Sequence, residues 1–452
     1  NLGPKSGSSS YVCVIPLVPQ STQPTDPPHL QREPIIVNPP NNPTDDHGIN
    51  SNMKLHLMKI LITLSLVLSF QALSEDWTHF RGPIGNGVST ERNLPIKLSE
   101  KNLKWSIPLP GRGLSGALVL GDKIILTCSS GPTQTRLHII ALDAKDGGTV
   151  WHRQFWATGR TMCHSKTSVA APTPCSDGKN IYAVFSSNDV ICLDLDGNLQ
   201  WLRGLTADYA NVSNSLGMSS SPLVTANTLV VQVENDSESY TLGLDKHTGI
   251  NRWRLDRPKA ANWTSPILLR KGLIGLQSKN GIDAIHTKDG SKAWEYDEGA
   301  STIPSSTVLN GVIYVPSHGI TALELNNADA GNTPTQLWQS TRLQLGTASP
   351  IVIGKNVFIT NRAGVLTAGD TKTGERSWQL RLKGPFSATP ISAGKYLYFV
   401  NEAGLLQVVD TEAEEGEIVG KLNLNDQILG SPAVGKGAIY IRSNTKVYKI
   451  SK

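Results

Sequence analysis

Patterns that carry chemistry are what this chain of 452 residues has least of. Its five cysteines include no CxxC, so a zinc ribbon or a thioredoxin-type redox pair is excluded. No HExxH, GxSxG or GxxxxGK[ST] occurs, which removes the zinc proteases, the nucleophile elbow and the P-loop. His79, His138, His152, His164, His247, His286 and His318 stand alone, without a partner at ligand spacing. Asp194 and Asp196 lie two apart, but Asp196-Gly197-Asn198 reads as a turn with too few oxygen ligands for calcium. The net charge is +5 with no polybasic run, so nucleic-acid binding has no electrostatic footprint. One apolar run, residues 60–70, is too short to span a membrane, which takes about 20 residues.

That run sits where a signal peptide would hold it. Residues 1–52 are rich in Pro, Asn, Ser and Thr and read as disordered, or as lying upstream of a start at Met53. Residues 53–74 follow the signal-peptide pattern: Lys54 and Lys59, the apolar core, then Ala72-Leu73-Ser74 before Glu75. No cysteine follows this cut, so no lipid anchor of the bacterial lipoprotein kind is expected. The rest of the chain is expected to be exported, periplasmic or extracellular, and not membrane-spanning. Cys128, Cys163, Cys175 and Cys192 then permit two disulfides or four free thiols. Cys163 with Cys175 or Cys192 is the pairing to test first.

What the chain has in quantity is turns, with 41 glycines and 27 prolines, and a recurring tryptophan. Asp143 leads through Gly147 to Trp151, Asp245 through Gly249 to Trp253, and Asp370 through Gly374 to Trp378. Asp194 reaches Trp201 through Gly197, and His286 takes the Asp place before Gly290 and Trp294. The Asp carboxylate can accept hydrogen bonds from the free N–H groups of a turn. The Gly supplies a positive φ. The Trp opens the next strand with a flat face to bury. Trp105, Trp151, Trp201, Trp253, Trp294, Trp338 and Trp378 recur every 40–52 residues, the period of a propeller blade.

One period reads as four short strands: 349–353, 356–360, 365–370 and 377–382. First strands begin with small residues, as at Ser220-Ser221-Pro222, Thr264-Ser265-Pro266, Ala388-Thr389-Pro390 and Gly430-Ser431-Pro432. Seven full repeats are followed by three strands without a fourth, while 103–107 is a fourth strand without its first three. The spacing therefore predicts an all-β fold: an eight-bladed β-propeller of four-stranded antiparallel blades over 101–452, closed by pairing the N- and C-terminal strands in one blade. Residues 75–100, dense in Gly and aromatics, are expected to cover the propeller, with Trp77 and Phe80 packed on it.

Recognition, on this reading, belongs to the long connections 155–166 and 205–216, which carry Arg160, His164, Lys166, Asp208, Tyr209, Asn211 and Asn214. Trp263, just before a channel-lining strand, either plugs the channel or offers a stacking face.

The small-Ser-Pro first strands and Asp-to-Gly-to-Trp turns resemble the pyrroloquinoline-quinone-type propeller repeat of the quinoprotein alcohol dehydrogenase-like superfamily. The architecture is also similar to the propeller lipoprotein of the outer-membrane β-barrel assembly machine, whose anchoring cysteine is missing here. The first resemblance implies a quinone, Ca²⁺, an Asp base and a ring of two adjacent cysteines. No Cys-Cys dipeptide occurs, and the acidic residues mostly fall at turns. The expectation is therefore an exported, monomeric, non-catalytic scaffold for a protein partner or, alternatively, a glycan, with no cofactor. A divergent dehydrogenase using the quinone and Ca²⁺, and an outer-membrane protein assembly scaffold, stand as alternatives.

Overall fold

The computed structural model describes residues 75–213, 215–325 and 333–452. The expectations for 1–52, 53–74 and Asn214 fall outside the described residues. Eight sheets follow one another along the chain, each with four antiparallel strands. Their innermost strands, which define blades 1 to 8, are Leu118–Leu120, Cys175–Ser176, Leu223–Val224, Ile267–Arg270, Thr307–Leu309, Ile351–Ile353, Ile391–Ala393 and Ala433–Gly435. Blade 6 shows the plan, with Ile351–Ile353, Asn356–Thr360, Val365–Asp370 and Arg376–Arg381 paired in that order. Second and third strands are apolar on both faces because each blade is covered by a neighbour on either side. Fourth strands alternate, as in the half-buried Arg376–Arg381.

The closing blade is built as the sequence predicts. Leu103–Pro108 pairs antiparallel with Lys446–Ser451, placing Leu103 opposite Ile450 and Ile107 opposite Val447. Closure covers both faces of every blade and leaves only short, protected edges at the axis. The largest apolar cluster straddles this seam, joining Ile124 and Leu142 of blade 1 to Tyr440 and Ile450 of blade 8 and Tyr398 of blade 7.

One pairing departs from the four-strand plan. Val88–Ser89 adds itself parallel to Ile391–Ala393, so blade 7 has a fifth strand at its axial edge. It belongs to a segment that visits the inner strands in turn. Trp77 pairs with Val119 of blade 1, and the Thr78 carbonyl accepts from Ser176 N of blade 2. The Arg81 guanidinium donates to the Ser306 and Pro350 carbonyls of blades 5 and 6. Ser392 N of blade 7 donates to the Gly87 carbonyl, and Gly437 N of blade 8 donates to Glu91. The cover segment is therefore a cross-tie that closes one end of the central channel.

Candidate functional site

The channel wall is set by the small residues at the start of the inner strands: a Ser/Thr-Pro step in six blades, Ser305-Ser306 in blade 5 and Gly116-Ala117 in blade 1. Gly116 N–H donates to Thr173 Oγ1 (2.8 Å), Thr173 N–H to Ser221 Oγ (3.1 Å) and Ser221 N–H to Ser265 Oγ (2.9 Å). The chain of bonds continues from Ser265 to Ser305 (3.0 Å), Ser305 to Ser349 (3.0 Å), Ser349 to Thr389 (3.2 Å) and Thr389 to Ser431 (3.0 Å). Each blade's backbone N–H thus meets the hydroxyl of the next blade at the same level. Near the axis the blades converge and these N–H groups have no strand partner, so a hydroxyl must satisfy them. The girdle opens at one step, because Gly116 offers no hydroxyl to Ser431. Smallness alone, read from the sequence, missed this; the recurrence of Ser or Thr directly before Pro was the signal.

Above the ring the channel widens into a cavity of about 440 Å³, lined by residues of all eight blades and floored by Phe80. Arg81, next to the floor, is 3 % exposed and has no carboxylate among its partners, which are the Ser306, Pro350 and Asn86 carbonyls and the Thr307 hydroxyl. Burial lowers its pKa to about 9, still protonated at neutral pH. His79 on the same segment is pulled down to about 4 by burial and is neutral there.

At the open end, the 157–167 connection of blade 2 leans across the mouth. Arg112 donates to the Ser165 carbonyl, and His164 N donates to the Leu216 carbonyl (3.1 Å). Lys166 Nζ reaches Glu402 of blade 7 at 3.3 Å, and Ser387 Oγ donates to the other carboxylate oxygen at 2.7 Å. Trp263 Nε1 donates to the Gly217 carbonyl (3.1 Å), which fixes the indole with one face in the cavity. Behind it, Asn262 Nδ2 donates to Glu234 (2.9 Å) and to the Gln277 carbonyl (2.7 Å). Glu234 also holds Arg257 at 2.6 Å, and burial raises its carboxyl despite that cation. His164, Lys166 and Trp263 therefore share one cavity; Arg160 points away from it, to Ser213 Oγ (3.3 Å).

The Asp-Gly-Trp residues do other work. Asp143, Asp245 and Asp370 accept from N–H groups two or three residues on, at 2.6 to 3.1 Å. For Asp245 desolvation is the largest single contribution and raises the carboxyl, but these bonds together outweigh it and hold the carboxyl below its ordinary value. Each Trp packs on the turn glycine of the following blade: Trp105 on Gly147, Trp151 on Gly197, Trp201 on Gly249, Trp253 on Gly290, Trp338 on Gly374 and Trp378 on Gly416. The indole N–H of Trp151, Trp201, Trp253 and Trp338 donates to a carbonyl of that turn at 2.9 to 3.0 Å. Trp294 is buried, and residues 326–332 of the following blade lie outside the described residues.

The cysteines do not pair. Cys128, Cys163, Cys175 and Cys192 are free thiols. Cys175 and Cys192 lie on strands separated by the strand of Tyr182, each opposite Tyr182, about 10 Å apart at ordinary strand spacing and beyond disulfide reach. Cys163 packs against Gly217 and accepts from Gln134 Nε2 at 3.3 Å.

The family model described as outer membrane protein assembly factor BamB matches residues 88–237, 212–380, 320–419 and 362–452. The chain belongs to this family. No curated protein matches its sequence. Among solved structures it is similar to BamB from Moraxella catarrhalis, with 16 % identity, TM-score 0.55 and coverage of 77 % of this chain and 97 % of that one. It is also similar to a europium-containing methanol dehydrogenase, with 13 % identity, TM-score 0.65 and coverage of 84 % and 98 %. The quinohemoprotein alcohol dehydrogenase from Comamonas testosteroni aligns with 13 % identity, TM-score 0.61 and coverage of 83 % and 81 %. At these identities the likeness is one of fold, shared by scaffolds and dehydrogenases alike.

The donor set of this family member can be tested against Ca²⁺. Calcium takes six to eight oxygens, with carboxylates prominent among them. The cavity lining holds hydroxyls, one Lys, one His and apolar side chains, and no Asp or Glu. Among the described residues no group of three His, Cys, Asp or Glu converges anywhere. These residues do not fit a calcium-bound quinone.

Proposed function

We propose that this protein is an exported, non-catalytic propeller scaffold that takes a protein partner at the open end of its channel. The observation that carries this reading is the composition of the axial cavity. It gathers eleven Ser and Thr residues, seven of them in the girdle, with Lys166, His164, Trp263 and Phe80, and no carboxylate pair and no activated nucleophile. Such a surface binds by shape and hydrogen bonding rather than by proton or electron transfer. The family description, an outer membrane protein assembly factor, supports placing this work in outer-membrane protein assembly.

The test is crosslinking of the full chain in its own cells, with a photoreactive group at Lys166 or Leu216, followed by identification of the adduct. A discrete protein adduct at the mouth, absent when the group sits on the opposite end at Gly178, is the expected result. Micromolar binding of pyrroloquinoline quinone that requires Ca²⁺, measured by calorimetry, would overturn the reading in favour of a dehydrogenase.

A further inference from the structure

We propose that the axial cavity captures a chain end: the C-terminal carboxylate and last apolar side chain of a partner polypeptide. The inference rests on the scaffold reading and specifies what the scaffold grips.

The first observation is that the cavity is blind. Phe80 and the cross-tie beneath it close one end, so an occupant enters and leaves by the mouth. A through-going strand has no exit, whereas a chain terminus needs none. A volume of about 440 Å³ suits a few residues and excludes a folded domain.

The second is a surplus of donors. Each hydroxyl of the ring accepts the neighbouring blade's N–H on one of its two lone pairs. Its own O–H donates to no protein acceptor among the described residues, and all seven hydroxyls line the cavity. An occupant that offers only acceptors matches this wall, and a carboxylate is the densest acceptor a polypeptide carries.

The third is charge. Arg81 lies fully buried beside the floor, bound to carbonyls and one hydroxyl but to no anion, and its Nε finds no acceptor. Lys166 at the mouth is balanced by Glu402, so the axis keeps the uncompensated charge of Arg81. A buried cation without a counter-ion raises the affinity of the space above it for an anion. The upper wall carries Leu114, Leu216, Trp263, Ile303 and Leu429 among its polar residues, and these would seat the side chain that precedes the carboxylate.

The experiment incubates the full chain with an equimolar library of acetylated random tetrapeptides, prepared as free acids and as C-terminal amides. Bound peptides are quantified by mass spectrometry. The expected result is recovery of free acids ending in Leu, Ile, Met or Phe, about tenfold or more over their amides, as charge-assisted hydrogen bonds give. Ser265→Ala with Ser305→Ala should abolish the acid preference. Should that variant lose its fold, Ile303→Trp, at an exposed rim position, blocks the mouth and should abolish recovery altogether. Equal recovery of acids and amides, no recovery, or recovery undiminished in Ile303→Trp overturns the inference. Binding of N-acetylleucine as tight as that of the best peptide replaces the chain end by a free small carboxylate. A crosslinked partner that persists in Ile303→Trp while the library fails rejects chain-end capture and leaves the scaffold reading standing.

Discussion

If the Trp-on-glycine contact is what holds neighbouring blades in register, Trp338 and Gly374 must be energetically coupled. Trp338 leaves blade 5, lies 8 % exposed and donates its indole N–H to the Thr371 carbonyl at 2.9 Å. Its ring also packs on Tyr314, centroid to centroid at 6.0 Å. Gly374 has φ +70°, and a Cβ there would fall 2.7 Å from Trp338 Cδ2 and closer still to Cε3. Gly374→Ala therefore carries two costs: about 1–2 kcal/mol for a left-handed alanine and about 1–3 kcal/mol for forcing a methyl into a held indole. Trp338→Ala should cost about 3–5 kcal/mol, as for other buried aromatics. In the double variant the clash disappears and only the backbone cost of Gly374→Ala remains. The coupling should then be about 1–3 kcal/mol, read from urea unfolding at unchanged slope. Gly272→Ala is the control, since its φ is +81° with nothing within 4 Å, and should show the backbone cost alone. Additivity of Trp338→Ala and Gly374→Ala to within about 0.5 kcal/mol would refute the docking account.

Three further outcomes follow from the same geometry. Gly116→Ser should close the hydroxyl girdle by offering Ser431 an acceptor, raising stability by about 1 kcal/mol; a loss in the same urea assay would mean the 3.2 Å approach to Thr173 Oγ1 cannot relax. Cys163 should react with a maleimide while the buried Cys128, Cys175 and Cys192 stay protected, and Lys166→Met should speed labelling by loosening the blade-2 connection. In 1 M salt, where the Debye length is about 3 Å, the wild type should label faster and the variant should not change; equal rates in all four cases would show that the Lys166–Glu402 pair does not hold the connection in place. Burial pushes His138 from 6.5 down to about 4, with His152 and Arg136 adding to the shift. The unfolded chain then binds more protons between those values, so the melting temperature should fall as pH drops from 6.5 towards 4. His138→Gln should flatten part of that slope, with His79, also lowered to about 4, the lowered His152 and the lowered carboxylates of Asp177 and Asp426 contributing to what remains; an unchanged slope would show that His138 is not held neutral by the fold.

Much of the architecture was legible because a propeller repeats its local rules. The Asp-Gly-Trp spacing fixes a hairpin with one wedge, the period fixes four strands, and the incomplete ends at 103–107 and 446–450 can only complete one another. None of this needed long-range information, since every blade buries its faces on a copy of itself. The partners of each wedge lay 40 or so residues away in the next copy, and so remained hidden until the blades were stacked.

The site is the opposite case. Ser221, Ser265, Ser305, Ser349 and Thr389 look alike in sequence as small residues, and only ring closure brings their hydroxyls to one level and turns each towards its neighbour. Lys166 and Glu402 are 236 positions apart and meet because ring closure brings the connection into blade 2 and the end of blade 7 to the same mouth. The free thiols were equally undecidable, since strand order rather than spacing separates Cys175 from Cys192. The sequence by itself determined the blade, its count and its closure, because those follow from nearest neighbours along the chain. The tertiary structure alone decided the cross-tie, the hydroxyl ring and the buried charge of Arg81, because these depend on which residues the closed ring turns towards its axis.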